Sequence, residues 1–519
     1  MNKENIQQYG MVLVILLSLF LGILIFFQVY IDDAFIFFKY GYNLVHHGIW
    51  SWSTEGKPVE AYTSFVYAIL SIFPYLLHIQ PHIFIKFVGL SFLLMMLYRI
   101  YVKTASKKTA LFAILIVVTN WQVYVHAFSG LETILWCWLL LETFFILKSS
   151  NISTRQQWWL WGICLLMTLT RPEGAIYAFF YFVYLNFYRK INISYWPIAF
   201  MAVTGLIYFI WRYSLFGLLF PLPFYHKVMD NQFGKVAFLF NIYTSWYYLI
   251  CAGLVFYFFR KMKLLFFIGT VSFIIFIGLY LKSFLVMNFA DRFPFQLFFP
   301  FVVFAIIELG NSTHLNKVKI VLVAGFLNLI ILSKGLYDEN LIELASITNN
   351  AGSAFFLPRS HYMLAKHINR IKDIEQKKIK VLFGDAGVFP HYVKARCYDY
   401  NGLTDAYFAT HKLSDAYFND VHADVVLIGF PNADKDRLIH DITNCKIMYN
   451  MVDKHPDFQY LGYTISKENG YYVHIYLRKS ATYHDDLITA LQNAIEESAT
   501  AGFRIKRFLK FRYLDMDNI

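Results

Sequence analysis

YIDDAFIFFKYGYNLVHHGIWSWSTEGKPVEAYT, residues 30–63, opens on two adjacent carboxylates, Asp32 and Asp33. The run before it, 11–30, is apolar for about twenty residues, enough to cross a bilayer. The acid pair is therefore delivered to the far mouth of a membrane crossing. Neighbouring carboxylates beside hydrocarbon repel each other and are costly to desolvate. Taken alone, an Asp pair reads most simply as a polar helix end in water. Here Lys39, His46, His47, Glu60, Tyr62, Thr63 and a dense set of aromatics follow before the next apolar run, which points to a polar, aromatic pocket at the membrane surface.

Composition agrees with a membrane setting. Of 519 residues, 58% are hydrophobic, 20% aromatic and only 15% charged, against roughly a quarter charged in soluble domains. The net charge of +12 would suit nucleic acid, but much of the excess sits in short loops between apolar runs, where it sets orientation. Nucleic acid is therefore excluded as a partner. Cys137, Cys164 and Cys251 lie in apolar runs and read as packing residues. Cys397 and Cys445 lie in the polar C-terminal part, where pairing in an oxidising compartment is open. No small-residue cleavage site follows the first run, which reads as an uncleaved span.

Further apolar runs lie at 62–80, 83–101, 109–127, 131–148, 158–171, 174–188, 196–216, 236–259, 263–281, 295–309 and 318–334. Charge decides which of them cross. With the N-terminus inside and 62–80 interfacial or re-entrant, the basic loops fall on the cytoplasmic side: Lys3; Arg99, Lys103, Lys107 and Lys108; Lys148 and Arg155; Arg189 and Lys190; Arg260, Lys261 and Lys263; Lys317 and Lys319. A full span at 62–80 would put nearly all of them outside, against the positive-inside rule. The expectation is a polytopic α-helical membrane protein of about eleven transmembrane helices over 1–334, with 31–61 as its first external loop.

Nearly every acidic residue of that half then lies on the outer face, together with a few cations. Four clusters join the opening loop there: FSGLET with Glu132, LTRPEG with Arg171 and Glu173, PLPFYHK with His226 and Lys227, and NFADRFPF with Asp291 and Arg292. Each has a plain alternative. Glu132 suits a helix N-terminus by the dipole alone, Arg171 and Glu173 suit a self-paired hairpin, and His226 suits a polar loop. Converging on one face, they mark a site.

These motifs carry a resemblance. DDAFIFFKYGYNLVHHGIW…GKPVEAYTS, SGLET, TRPEG, a P-x-x-FYxK loop and a DRF motif before a late span resemble, in order and spacing, the GT-C superfamily of membrane glycosyltransferases. Within it the likeness is to the branch containing the mycobacterial terminal arabinofuranosyltransferases, and it extends over most of the chain. The chain departs from that pattern in PLPFYHK, which lacks the Asn-Thr pair expected after the first Pro, and in Lys39, where Arg is commoner. Neither change removes the charge.

Beyond 334 the composition turns polar, and 335–519 is the size of one domain. IKVLFGDAG reads as a strand entering an acidic turn at Asp385, ADVVLIGF and YYVHIYL as two more strands, and 361–377 and 484–498 as helices. An α/β domain is expected, and with about eleven spans it sits outside. Asp385 and Asp405 lie in GDAGVFPHY…YDYNGLTDAYFA, which also matches the family, although Asp385 read alone suits a strand end that caps the next helix better than a catalytic acid. The tail FRIKRFLKFRYL reads as a lipid-headgroup contact or a solvated helix face.

The resemblance implies transfer of a sugar, an arabinofuranose among the candidates, from a polyprenyl-phosphate donor to a glycan, lipid or protein acceptor outside the cytoplasmic membrane. Such a reaction needs a carboxylate to take the acceptor proton, cations on the donor phosphate and an apolar groove for the isoprenoid. Asp32 is the expected base, with Asp33 orienting it, holding sugar hydroxyls or binding a divalent ion; no cofactor is certain. Lys227 and Arg292, with Lys39 and Arg171 behind them, are expected on the phosphate. Glu60, Tyr62, Glu132, Glu173, His226 and Asp385 are expected around the sugar or acceptor. A flippase of lipid-linked sugars is the alternative, and a non-catalytic scaffold a third reading.

Overall fold

The computed structural model describes residues 3–229 except 28 and 55, 262–281, 288–311, and 359–500 except 412, 431, 441–443 and 467–470, with the strands 505–508 and 511–514 and a few positions between 239 and 253. The expected spans at 236–259 and 318–334, and the boundary at 334/335, lie outside the described residues.

The first helix, Lys3–Phe26, is about 36 Å long, more than a hydrocarbon core of ~30 Å. Five described helices are long and apolar enough to cross a membrane: Asn5–Phe26, Pro81–Lys103, Tyr195–Phe216, Lys263–Tyr280 and Phe289–Gly310. A sixth crossing is open to the pair Lys107–Thr119 and Trp121–Phe128, bent by 67°. The bend falls at Asn120, whose side chain accepts from the Gln122 N–H and starts the second helix. Thr133–Lys148, Thr154–Thr170 and Glu173–Val183 complete the described bundle with shorter helices. In Phe289–Gly310, 83% of the residues in its most apolar stretch are buried within the bundle, whereas in Tyr195–Phe216 the share is 6% and apolar side chains face outward.

The 62–80 run does not form a spanning helix. It breaks into Phe65–Leu70, started by Ser64, and Phe73–Leu76, with Pro74 in its first turn. Even as one continuous helix the stretch 65–76 would reach only about 18 Å, too short to cross. The acid pair sits between the first helix and an amphipathic one, Ala34–His47, which ends at Gly48 in the left-handed region (φ 69°).

The soluble part is a five-stranded sheet of β1 Lys380–Phe383, β2 Arg396–Asp399, β3 Val425–Phe430, β4 Phe458–Ser466 and β5 Tyr471–Arg478. Its order is β2-β1-β3-β5-β4. β1 pairs in parallel with β2 and β3, and β5 runs antiparallel to β3 and β4. Alternation fills both faces: Val381, Phe383, Val425 and Leu427 pack under the helices Arg359–Asn369 and His484–Thr500, and Leu382, Val426 and Ile428 pack against Phe418 and Met448 on the other side. β2 and β4 are strands that the sequence reading did not name. Cys397 and Cys445, whose pairing the sequence leaves open, form no disulfide with each other, and Cys445 packs against Gly429 and Tyr400. In the tail, Ile505–Phe508 and Phe511–Leu514 pair as antiparallel strands, which replaces the solvated helix face, one of its two readings.

Candidate active site

The opening turn leaves Asp32 buried (7% exposed) and Asp33 half-buried. Asp33 starts the amphipathic helix without capping it through its side chain. The Asp32 carboxylate is met by the soluble part. Its Oδ1 accepts from the Val388 N–H at 2.8 Å and lies 3.8 Å from His361 Nδ1. His361 Nε2 is 3.1 Å from Asp385 Oδ2, which also accepts from the Tyr471 hydroxyl at 2.8 Å. Asp385 belongs to the turn that leaves β1. β2 and β3 flank β1 on opposite sides, so this turn opens at a switch point of the parallel strands, where such folds place ligands.

Gly387 permits the contact. A Cβ there would fall 2.1 Å from Asp32 Oδ2. Burial works against charge on His361, but Asp32 and Asp385 outweigh it and push the imidazole up to about 9. Burial also works against the Asp385 carboxylate; His361 and Tyr471 overcome it and hold the group below the usual carboxylate range. The described groups that meet the Asp32 carboxylate are the Val388 N–H and the His361 imidazole. Among the described residues no group of three or more His, Cys, Asp or Glu could hold a metal ion.

Lys39 rises from the same amphipathic helix and donates to Pro390 O at 2.9 Å, which fastens that helix to the segment after Val388. Burial lowers its pKa. Glu60 and Tyr62 lie in the return loop. Glu60 forms a buried pair with Arg212, at 3.0 Å to Nε and 2.6 Å to Nη2. Its carboxyl is nevertheless raised, burial outweighing Arg212. Tyr62 is fully buried and accepts from the Trp50 indole N–H at 3.2 Å.

A second cluster gathers Glu132, Arg171, Glu173 and Arg292, all buried. Arg171 Nη1 and Arg292 Nη2 lie 2.5 and 2.7 Å from the same Glu132 oxygen. Arg171 Nη2 lies 3.2 Å from Glu173 and donates to the Tyr280 hydroxyl, also at 3.2 Å. Two guanidiniums thus meet two carboxylates, the matched pairing a buried charge needs. One oxygen each of Glu132 and Glu173 is left without a hydrogen-bond donor among the described residues. Gly130, in the left-handed region (φ 79°), lets this turn approach Ala34, where a Cβ would fall 2.8 Å from the Ala34 methyl. Ala290 and Asp291 also have positive φ (46° and 52°), a strained pair of the kind that functional sites hold. Gln122 donates to both, to Ala290 O at 3.1 Å and to Asp291 Oδ2 at 3.0 Å.

His226 and Lys227 fall on the helix Leu222–Met229, and their side chains lie outside the described residues. The Leu222 N–H donates to Glu60 O at 3.0 Å, which ties that helix to the return loop. Asp405 caps the helix Ala406–Thr410.

Three residues were missed by the sequence reading. His361 gave no signal, being one polar residue on a polar helix. Arg212 and Lys86 did give one, because an ionisable residue inside an apolar run is a functional-site hypothesis by default. Lys86 is 1% exposed. Its ammonium donates to Val29 O and to Phe128 O and stands 4.0 Å from the Tyr30 ring centroid. It lines a small cleft of about 10 Å³ with Tyr30, Ala34, Phe35, His82 and Phe128, at the turn that carries Asp32.

Compared with protein-family models and with curated proteins, the chain matches none. Among solved structures it is similar to ArnT from Cupriavidus metallidurans bound to undecaprenyl phosphate, with 11% identity over 91% of this chain and 98% of that chain and a TM-score of 0.51. It is also similar to the same protein in the apo state, with the same identity and coverage and a TM-score of 0.54. At that identity the likeness speaks for the fold. The chain shares the helical fold of those structures, with five described helices long and apolar enough to cross a membrane.

Proposed function

We propose that this protein is a membrane glycosyltransferase that moves a sugar from a polyprenyl-phosphate donor to an envelope glycan, lipid or protein on the outer face of the cytoplasmic membrane. The observation that carries this reading is Lys86. Arg171, Arg292 and Arg212 are matched by carboxylates, whereas Lys86 is a buried ammonium held by carbonyl oxygens and aromatic rings. A buried cation costs several kcal/mol unless it meets an anion. A lipid phosphate entering the cleft beside Asp32 would supply one.

In this reading Asp32 takes the proton of the acceptor hydroxyl, while the acceptor oxygen attacks the anomeric carbon. The bond to the lipid phosphate breaks, and its electron pair leaves on the phosphate oxygen beside Lys86. Glu132 and Glu173 offer their uncommitted oxygens to sugar hydroxyls, with Arg171 paired to both acids and Arg292 to Glu132. Lys39 and Lys227 remain assigned to the phosphate end. The ArnT structure with undecaprenyl phosphate supports a lipid phosphate as partner for this fold, and arabinofuranose as the sugar rests on the motif resemblance.

The test uses the full-length protein in nanodiscs with undecaprenyl-phosphate-linked arabinofuranose, glucose and mannose, and reads release of undecaprenyl phosphate in the presence of envelope glycans. We expect release with one of these donors, and Lys86→Met to weaken undecaprenyl phosphate binding at least tenfold. Wild-type binding by Lys86→Met overturns the phosphate assignment. Transbilayer movement of the donor without release favours a flippase.

A further inference from the structure

We propose that His361, carried by the soluble part, is a positioning residue for the Asp32 carboxylate, bridging it to Asp385 and selecting which of its oxygens faces the acceptor. The inference rests on the reading of Asp32 as the base. It adds that the base is assembled from both halves of the chain, which no property of residues 30–63 reveals.

The geometry has three parts. Oδ1 of Asp32 is committed, receiving the Val388 N–H at 2.8 Å and facing His361 Nδ1 at 3.8 Å. Neither group engages Oδ2, and a tenth of the Asp32 side chain stays exposed. His361 is in turn fixed from behind. Its Nε2 is 3.1 Å from Asp385, its ring stands edge-on to Phe383 at 4.9 Å and to Tyr471 at 5.7 Å, and Tyr471 holds Asp385 by a 2.8 Å hydrogen bond. The ring itself is 1% exposed, with both nitrogens outside ideal hydrogen-bond geometry. A buried imidazole with both nitrogens aimed at carboxylates it does not quite bond is poised for a tighter arrangement, as catalytic contacts often are before substrate arrives.

The charged and titratable groups facing His361 are Asp32 from the opening turn, Asp385 from the turn after β1 and Tyr471 from β5. The two acids lie on opposite edges of the ring, so a rotation that improves one contact loosens the other. When Asp32 accepts the acceptor proton it becomes neutral, and His361 keeps Asp385 as its counter-ion. The imidazole therefore stays in place through the step and transfers no proton itself. This is the positioning logic of a buried acid and imidazole pair, with the roles exchanged.

Two measurements on the full-length protein in nanodiscs test the proposal. The first is the titration of His361 by histidine-selective nitrogen labelling and NMR. We expect it to titrate above neutrality in the wild type and to fall by at least one pH unit in both Asp32→Asn and Asp385→Asn. A titration that Asp32→Asn leaves in place overturns the bridge, whatever the protein catalyses. The second is release of undecaprenyl phosphate from the donors above. We expect His361→Gln to lower kcat at least tenfold, to leave KM within about threefold and to move the acidic limb of the pH profile, with His361→Asn as a second variant and undecaprenyl phosphate binding as the check on folding. Wild-type kcat and pH profile in His361→Gln, with release lost in Asp32→Asn, overturn the positioning role and leave the base standing. Wild-type release in Asp32→Asn overturns the base itself.

Discussion

Asp32 shows how far a single residue can be read. Its sequence context marked it as an acid beside hydrocarbon, and the fold leaves it buried with an imidazole and a backbone N–H for company. The consequence for pH follows from His361. Its folded pKa, about 9, stands above the ordinary 6.5. The protonated ring therefore stabilises the fold in full below about pH 6.5, and the contribution fades as pH climbs through 9. Asp385 acts in the opposite direction, its depressed carboxyl losing its contribution as pH falls. Thermal melting of the wild type between pH 6.5 and 9 is expected to show a falling midpoint. His361→Gln should flatten that slope, and an unchanged slope would contradict the assignment.

At the scale of elements, buried ion pairs join segments far apart in the chain. The return loop at Glu60 is tied to the helix Tyr195–Phe216 by Arg212 and to the helix Leu222–Met229 by a backbone hydrogen bond. Removing one partner strands the other charge in a low dielectric, which typically costs about 3–5 kcal/mol. Arg212→Ala should destabilise the protein by roughly that much, and Arg212→Met with Glu60→Gln should recover most of it. The check is a double-mutant cycle on thermal melting, and additive losses would show that the two side chains act independently. The amphipathic helix after Asp33 is likewise held by Lys39 at Pro390 O and by Phe35 and Phe38 against His391. Its apolar face was readable from the sequence, and its partner was not.

For the whole molecule, charge divides the bundle. Arg99 pairs with Glu142, Lys148 with Glu308, and Arg189 donates to the carbonyls that end the helix before Ser149. These groups lie toward the helix ends that carry the basic loops, and Glu142 and Glu308 are acids the sequence reading did not place there. The acids around Asp32, Glu60 and Glu132 lie toward the other end. If positive loops face the cytoplasm, the acidic end faces out. Lys57 and Lys107 are both exposed, so Lys57→Cys and Lys107→Cys in a cysteine-free background report the orientation. An impermeant thiol reagent on intact cells should label the first and spare the second. The reverse pattern would put Asp32 in the cytosol and end the proposed reaction.

The sequence by itself determined what local pattern can carry. Hydropathy runs gave the described spanning helices, the positive loops gave a non-crossing 62–80, and short apolar runs bounded by turns gave three of the five sheet strands. Loop charge assigned the acid pair, FSGLET, LTRPEG, PLPFYHK and NFADRFPF to one face of the bundle. The tertiary structure alone decided who meets whom. Arg171 and Arg292 look the same in sequence whether they face a phosphate or Glu132, and Lys86 and Arg212 look alike as cations in apolar runs. The reason is physical: in a low-dielectric interior a charge is defined by its partner, and the partners of Asp32 and Lys39 lie 356 and 351 residues away. No linear pattern spans that distance; only the closure of the soluble part onto the membrane part does.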